Sequence, residues 1–172
     1  MDFAGKRIIV TGGTGALGAA VVDGLLKAGA SCTIPYRQEA EAQRFAHRDN
    51  AKVTLIAAGD LADEAAVAKL YAGASPWASI HIAGGFAPGK LADTDKAALM
   101  AQIDGNLVSC FLCCRAAVKA MQAAGQGRAE DTVRSDGKGE RRVQDLRNEL
   151  DAQGRKRHPA ARTWDASQVC FR

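Results

Sequence analysis

The sequence predicts an α/β domain built on a doubly wound parallel sheet, in strand order 3-2-1-4, followed by a short segment of different character. Three observations carry that expectation. From Met1 to about Gly127, short β-type runs alternate with helical runs. A glycine-rich turn joins the first strand-like run to the first helical one, and after Gly127 the alternation stops. Strand–helix alternation at this spacing requires right-handed crossovers, which lay parallel strands side by side and cover both faces of the sheet with helices.

Taken in order, Lys6–Val10 reads as a buried strand. Ala19–Ala28 follows as a helix with Val21, Val22, Leu25 and Leu26 on one face, and Gly29 stops it. Ser31–Tyr36 is a second strand whose end Pro35 should weaken. Glu39–His47 is a helix, Lys52–Ile56 a strand, and Asp63–Ala72 a helix with Ala66, Val67 and Leu70 facing inward. Ser79–Ala83 is the fourth strand. Thr94 opens a long helical stretch that ends near Ala124 and breaks around Asp104-Gly105.

The segment after Gly127 is expected to differ. Ala129–Gly139 is polar apart from Val133, which argues against a buried strand, so the fourth strand should be an exposed edge. The tail or another copy of the chain would have to cover it, which leaves a homo-oligomer open. Glu140–Gln153 has Val143, Leu146 and Leu150 at helical spacing, and Arg155-Lys156-Arg157 reads as solvated. The expected division is therefore residues 1–127 as a nucleotide-binding domain and 128–172 as an atypical charged segment. Abrupt loss of periodicity with Arg enrichment is what a shifted reading frame would produce.

Composition narrows the partners. A chain of 172 residues is one domain by size, large enough for a real core. A hydrophobic share of 47% and a charged share of 24% are those of an ordinary globular protein. A net charge of +4 is too mild to point to nucleic acid, and Arg155–His158 lacks interleaved aromatics. No apolar run approaches the roughly 20 residues of a membrane span, and no signal-peptide pattern opens the chain. No membrane partner and a cytoplasmic location are expected. Five cysteines without framework spacing fit reduced thiols, and Cys110-x-x-Cys113-Cys114 on an apolar helix face fits core packing. His47 and His81 have no zinc-site spacing, so no metal is expected.

The glycine turn carries the chemistry. Gly13-Thr14-Gly15-Ala16-Leu17-Gly18 satisfies G-x-G-x-x-G directly after a strand and directly before a helix. Together with Gly12, the first glycines let the backbone turn tightly and approach a pyrophosphate. The last lets helix and strand pack, and the helix N-terminus offers N–H groups to the phosphates. That combination is the Rossmann-like fingerprint of a dinucleotide site. Arg37, just past the second strand, stands where an acid would accept the ribose hydroxyls of NAD. An Arg there suggests a 2′-phosphate, so NADP is favoured over NAD.

Thr11-Gly12-x-x-Gly15-x-x-Gly18, Gly59-Asp60-Leu61, Ala83-Gly84-Gly85 and Asp104-Gly105-Asn106-Leu107 together resemble the short-chain dehydrogenase/reductase family, over roughly residues 3–124. The resemblance implies that Asp60, with Leu61 beside it, meets the adenine and that Ala83, Gly84 and Gly85 line its ribose. It also implies that Asn106 belongs to a catalytic tetrad and supports a proton-relay water. The family's usual turn has Gly where this chain has Ala16, and its usual Asn-Asn-Ala-Gly stands here as His81-Ile82-Ala83-Gly84. The family continues with a fifth strand ending in a catalytic Ser and then a Tyr-x-x-x-Lys. Here the tyrosines are Tyr36 and Tyr71 alone, and Ser135 and Lys138 are the nearest downstream serine and lysine.

Two functions follow from that pattern. One is an NAD(P)-dependent oxidoreductase acting on a small carbonyl or alcohol substrate, impaired by the missing Tyr and Lys. The other is a non-catalytic dinucleotide-binding sensor or regulatory module.

Overall fold

Side chains alternate across a strand, so a strand buried on both faces feeds two cores. The first strand, β1 (Arg7–Thr11), does this. Ile8 and Val10 join Val22, Leu25, Cys32, Ile34 and Phe45 in one cluster. Ile9 joins Val67, Leu70, Leu112, Cys113 and Ala117 in the other. The computed structural model describes residues 2–125 and 127–131. The helix expected at Glu140–Gln153, the basic tail, Ser135 and Lys138 lie outside the described residues.

The elements after β1 are α1 (Ala16–Lys27), β2 (Ser31–Tyr36), α2 (Glu39–Arg44), β3 (Val53–Ala57), α3 (Glu64–Tyr71) and β4 (Ala78–His81). A 3₁₀ turn at Leu91–Asp93 leads to α4 (Lys96–Ile103) and, through Asp104–Val108, to α5 (Ser109–Ala124) and β5 (Arg128–Asp131). All strands pair in parallel, in the order β3-β2-β1-β4-β5. The expected order 3-2-1-4 is therefore present. Helix α1 packs on the face of the first cluster, and α3 and α5 pack on the face of the second.

Helix α1 ends as its glycine requires. The Gly29 N–H donates to the Leu26 carbonyl and the Ala30 N–H to the Leu25 carbonyl, the two bonds of a Schellman motif. Pro35 does not weaken the pairing of β2 with β3, which runs through to Tyr36↔Ala57. The Ser31 N–H faces β1, where it donates to the Lys6 carbonyl, so the missing N–H of Pro35 faces β1 as well. That ladder stops at Ile9↔Thr33, so β1 and β2 part at their carboxyl ends.

Three expectations are corrected. Residues 128–131 do form a strand, with Ala78↔Arg128 through His81↔Asp131 in register, so β4 is not the sheet's edge. Backbone pairing needs no apolar pattern, and Gly127 enters the strand at φ 149°, where a Cβ would strike the Met121 side chain. The long helix does not break at Asp104-Gly105 but widens there into one π-turn. That continuity makes Lys96–Ala124 a single run of 29 residues, with an 18-residue stretch of mean hydropathy 1.4. By length and composition it is apolar enough to cross a membrane, contrary to the sequence expectation. A core helix meets the same test, and Leu112, Cys113, Ala117 and Met121 of this one are buried against the sheet face.

Cys32, Cys110, Cys113 and Cys114 are all buried and in no disulfide among the described residues. Burial pushes the Cys32 thiol up to about 11 and the Cys113 thiol, with the neighbouring Cys114 adding to it, up to about 12, from an ordinary 9.0. Below pH 9 the thiols are protonated in both folded and unfolded chain, and the stabilisation is fully present. As pH rises from about 9 towards 12, the unfolded chain ionises while the fold holds the thiols neutral, so stability is lost. Urea unfolding on either side of pH 9 should show that decline, and Cys113→Ala should make it shallower. An unfolding midpoint that ignores pH over this range would contradict the assignment.

Candidate functional site

The sheet brings four short sequences to one edge. At the carboxyl ends of β1, β2, β3 and β4 stand, respectively, the glycine turn 12–18, Arg37, Gly59-Asp60-Leu61 and Ala83-Gly84-Gly85. Chain order reverses between β1 and β4, and in open parallel sheets a ligand crevice opens outside the carboxyl ends at that switch point.

The turn is held mainly by close backbone contacts. Gly12 has φ 71°, and a Cβ on it would lie 2.6 Å from the Ala83 nitrogen. A Cβ on Gly18 would lie 2.6 Å from the Gly13 Cα and collide with the Gly12 carbonyl. A Cβ on Gly13 would sit 2.8 Å from Ile34 Cγ2. These three glycines are needed for packing. Gly15 is different: it is exposed, its Cβ would come no closer than 3.3 Å to the Gly12 oxygen, and it forms the N-cap of α1.

Helix α1 presents a bare N-terminus. No side chain caps it, and its first turn holds no acid. The Ala19 N–H donates to the Gly15 carbonyl, so the amides of Ala16, Leu17 and Gly18 have no acceptor one turn back. Unsatisfied N–H groups and the positive end of the helix dipole suit an anionic ligand. Leu17 is 62% exposed beside them. Thr11 ties the turn to β4: its carbonyl accepts from the Ile82 N–H at 3.1 Å, and its buried Oγ1 accepts from the Ala83 N–H at 3.4 Å.

Asp60 and Leu61 follow β3. The Asp60 Oδ1 accepts from the Ala62 N–H at 2.9 Å, and its carbonyl accepts from the Asp63 N–H. That Asx turn fixes the carboxylate at the crevice's outer end. Arg37 is exposed there, and its guanidinium makes no hydrogen bond or ion pair among the described residues.

Asn106 sits in the π-turn and reaches back to the chain after β4. Its Nδ2 donates to the Gly85 carbonyl and to the Gln102 carbonyl, both at 2.9 Å, and its Oδ1 accepts from the Gly85 N–H at 3.0 Å. The amide thus imitates a strand partner for Gly85 and satisfies a carbonyl of the widened helix. Gly84 permits this approach, since a Cβ on it would lie 2.5 Å from the Asn106 Oδ1. Both Nδ2 hydrogens are used, so this side chain positions the loop and has no proton to give a ligand.

Neither tyrosine joins this edge as a proton donor. Tyr71 is buried in the α3–α5 core, its hydroxyl 2.7 Å from Ser79 Oγ, and burial drives its pKa far above the ordinary value. Tyr36 ends β2 but donates to Glu39 Oε2 at 3.0 Å, and that carboxylate raises its pKa. A cavity of about 400 Å³ lies between α3 and α5, lined by Glu64, Tyr71, Leu112, Arg115 and Lys119 among others. It includes no part of the glycine turn and no residue of the crevice edge, so it is not the site.

Sequence reasoning missed one residue at this edge. Glu41 Oε2 accepts from Thr14 Oγ1 at 3.3 Å and from the Arg37 N–H at 3.4 Å. Its distance along the chain from the fingerprint, near the ~20 residues at which an acid is expected, was the available signal.

A family profile described as short chain dehydrogenase matches residues 6–131. Among solved structures, an oxidoreductase of the short chain dehydrogenase/reductase family from Burkholderia thailandensis is similar at 26% identity and TM-score 0.66. The match covers 73% of this chain and 50% of that one. A mutant short-chain dehydrogenase/reductase from Serratia marcescens is similar at 26% identity and TM-score 0.66, over 76% and 56% of the two chains. ElxO with NADP bound shares the fold at 22% identity and TM-score 0.64, over 73% and 54%. The chain spans about half the length of these proteins.

The contacts predict two unlike glycine phenotypes. Gly18→Ala should lower stability by roughly 2–4 kcal/mol, because the methyl group meets backbone that cannot move. Gly15→Ala should cost less than about 1 kcal/mol. Thermal unfolding of the two variants checks this, and equal losses would refute the division between packing and ligand-facing glycines.

Proposed function

Since the chain belongs to the short chain dehydrogenase family, we propose that it binds NAD(P) along the carboxyl edge of the sheet and is an oxidoreductase of small carbonyl or alcohol substrates. The observation that carries the binding reading is the bare N-terminus of α1 behind a turn in which Gly12 and Gly18 have no room for a Cβ. Such a cradle lets backbone amides reach a pyrophosphate directly. The amides of Ala16, Leu17 and Gly18 would hold the diphosphate, with Gly13, Thr14 and Gly15 framing it. Asp60 and Leu61 would meet the adenine, and Ala83, Gly84 and Gly85 its ribose. Arg37, exposed and without an ionic partner among the described residues, supports NADP over NAD.

A bound nicotinamide cofactor supplies hydride transfer. What this chain's residues supply is position: Asn106 fixes the loop at Gly85 through two hydrogen bonds. Among the described residues, no proton donor for the developing alkoxide stands at this edge. Of the two phenols, Tyr71 is buried against Ser79 and Tyr36 is bonded to Glu39. Without a positioned general acid, a factor of roughly 10²–10⁴ is lost. By its described residues alone the chain would be a weak carbonyl reductase.

Fluorescence titration with NADPH and NADH tests the binding. Saturable binding of at least one is expected, tighter for NADPH, and Gly15→Val should abolish it while the protein stays folded. Failure of both cofactors at millimolar concentration would refute the reading. Steady-state assays with NADPH and a panel of ketones and diones test the chemistry. Turnover well below the ordinary ~1–10³ s⁻¹ is expected. Ordinary turnover that a substitution after Gly127 abolishes would show that the acid comes from that segment.

A further inference from the structure

The cavity of about 400 Å³ between α3 and α5 lies apart from the crevice, and we propose that it binds an amphipathic carboxylate, its apolar tail between the helices and its anionic head at Lys119. This inference does not rest on the dinucleotide reading. Val67 and Leu112 are buried at the floor, beside Tyr71, whose hydroxyl is taken up by Ser79 Oγ at 2.7 Å. The walls are small. Ala68 on α3 and Ala72 at its C-cap are spaced four apart, as are Ala116 and Ala120 on α5, so each pair lies on one helix face. Methyl groups there leave room that longer side chains would fill. The volume is within the range of small-ligand sites, and an apolar interior with a few charged groups at the mouth is their usual chemistry.

Charge selects the ligand. Arg115 and Lys119 stand four apart on α5, a like-charge spacing that disfavours the helix unless anions answer it. Glu64 answers Arg115 with an ion pair, and the Arg115 guanidinium also lies over the Phe111 ring, 5.5 Å from its centroid. Glu64 stands in the first turn of α3, where the helix dipole favours its charge. Lys119 is exposed and has no ion pair among the described residues. The mouth therefore holds one cation that is matched and one that is not. An incoming carboxylate gains at Lys119 and is repelled by Glu64, which sets its head towards the Lys119 end. A cationic amphiphile meets the reverse balance, because Glu64 is engaged and Lys119 repels it. The tail gains in either case by leaving water for Val67, Leu112 and the Tyr71 ring.

Alanine-methyl NMR of the whole chain, titrated with octanoate, octanol and octyltrimethylammonium, tests the site. Octanoate should shift the Ala68 and Ala116 methyls saturably, with octanol weaker and the ammonium weakest. Lys119→Gln should weaken octanoate about two- to fivefold, the scale of one exposed ion pair, and leave octanol unchanged. Added salt should shrink that difference. Ala116→Leu should abolish binding of both by filling the cavity, and Ala68→Leu, at an exposed position, carries the same test if the first variant does not fold. Gly15→Val, which obstructs the glycine turn, should leave octanoate binding as it is. No saturable shift at millimolar octanoate, equal binding of the ammonium, or an unmoved affinity in Lys119→Gln overturns the proposal. Loss of octanoate binding in folded Gly15→Val overturns it too, because the ligand would then lie in the crevice. Failure of NADPH and NADH alone, with octanoate still bound between the helices, overturns the dinucleotide reading and upholds this site.

Discussion

The Gly12 backbone lies against Ala83 so closely that a Cβ would come within 2.6 Å of the Ala83 nitrogen, while Gly18 rests on the Gly12 carbonyl and the Gly13 Cα. Interiors are close-packed, so a backbone contact of this kind cannot yield by rotating a side chain. It fixes where β1 stops, how far β4 extends beside it through Thr11, and where α1 begins. The N-terminus of α1 is aimed at the edge between β1 and β4 because the chain has no other path through that contact. Everything proposed for the diphosphate depends on this placement, and none of it depends on a flexible side chain.

The two flanks of the crevice are secured in different ways. On the β2 and β3 side, ladder pairing runs to the strand ends, and Asx and helix caps finish the job, as at Asp60 and Asp63. On the β4 side, pairing ends at His81, and residues 84–101 are exposed except for what Asn106 supplies. Two hydrogen bonds of roughly 1 kcal/mol each tie Gly85 to Asn106 in the π-turn. Asn106 sits within the π-turn, and its amide also donates to the Gln102 carbonyl one turn back. Phe86 and Leu91 remain 87% and 93% exposed on that flank. Its geometry therefore rests on one side chain, where the glycine turn rests on many backbone atoms.

Charge is distributed with the same asymmetry. The start of α1 carries no acid, but the outer end of the crevice carries Arg37, Glu39, Glu41 and Asp60 within a few residues of the strand ends. Tyr36 and Thr14 sort the two glutamates: Glu39 turns to the phenol, Glu41 to the turn.

Local chemistry wrote much of this fold into the residues in advance. Runs such as Ile8-Ile9-Val10 bury on both faces, Gly29 terminates α1 by the only bonds open to it, and Gly12 to Gly18 permit the turn, so strand order 3-2-1-4 and the glycine cradle were legible. β5 was not, because Arg128–Asp131 joins the sheet by backbone pairing and shows no apolar signal. The π-turn was legible only as a break, since whether a helix stops or widens at Asp104-Gly105 depends on the acceptor that Gly85 offers Asn106 from across the sequence. Glu41 drew no reading of its own beyond lying in the helix expected at Glu39–His47. The sequence by itself determined which backbone could lie against which, because that depends on the absence of a Cβ. Only the tertiary structure decided which side chains share a site, because Thr14, Arg37 and Glu41 meet where β1 and β2 part beyond Thr33, and spacing along the chain shows that an acid lies near the expected distance but not which atoms it bonds.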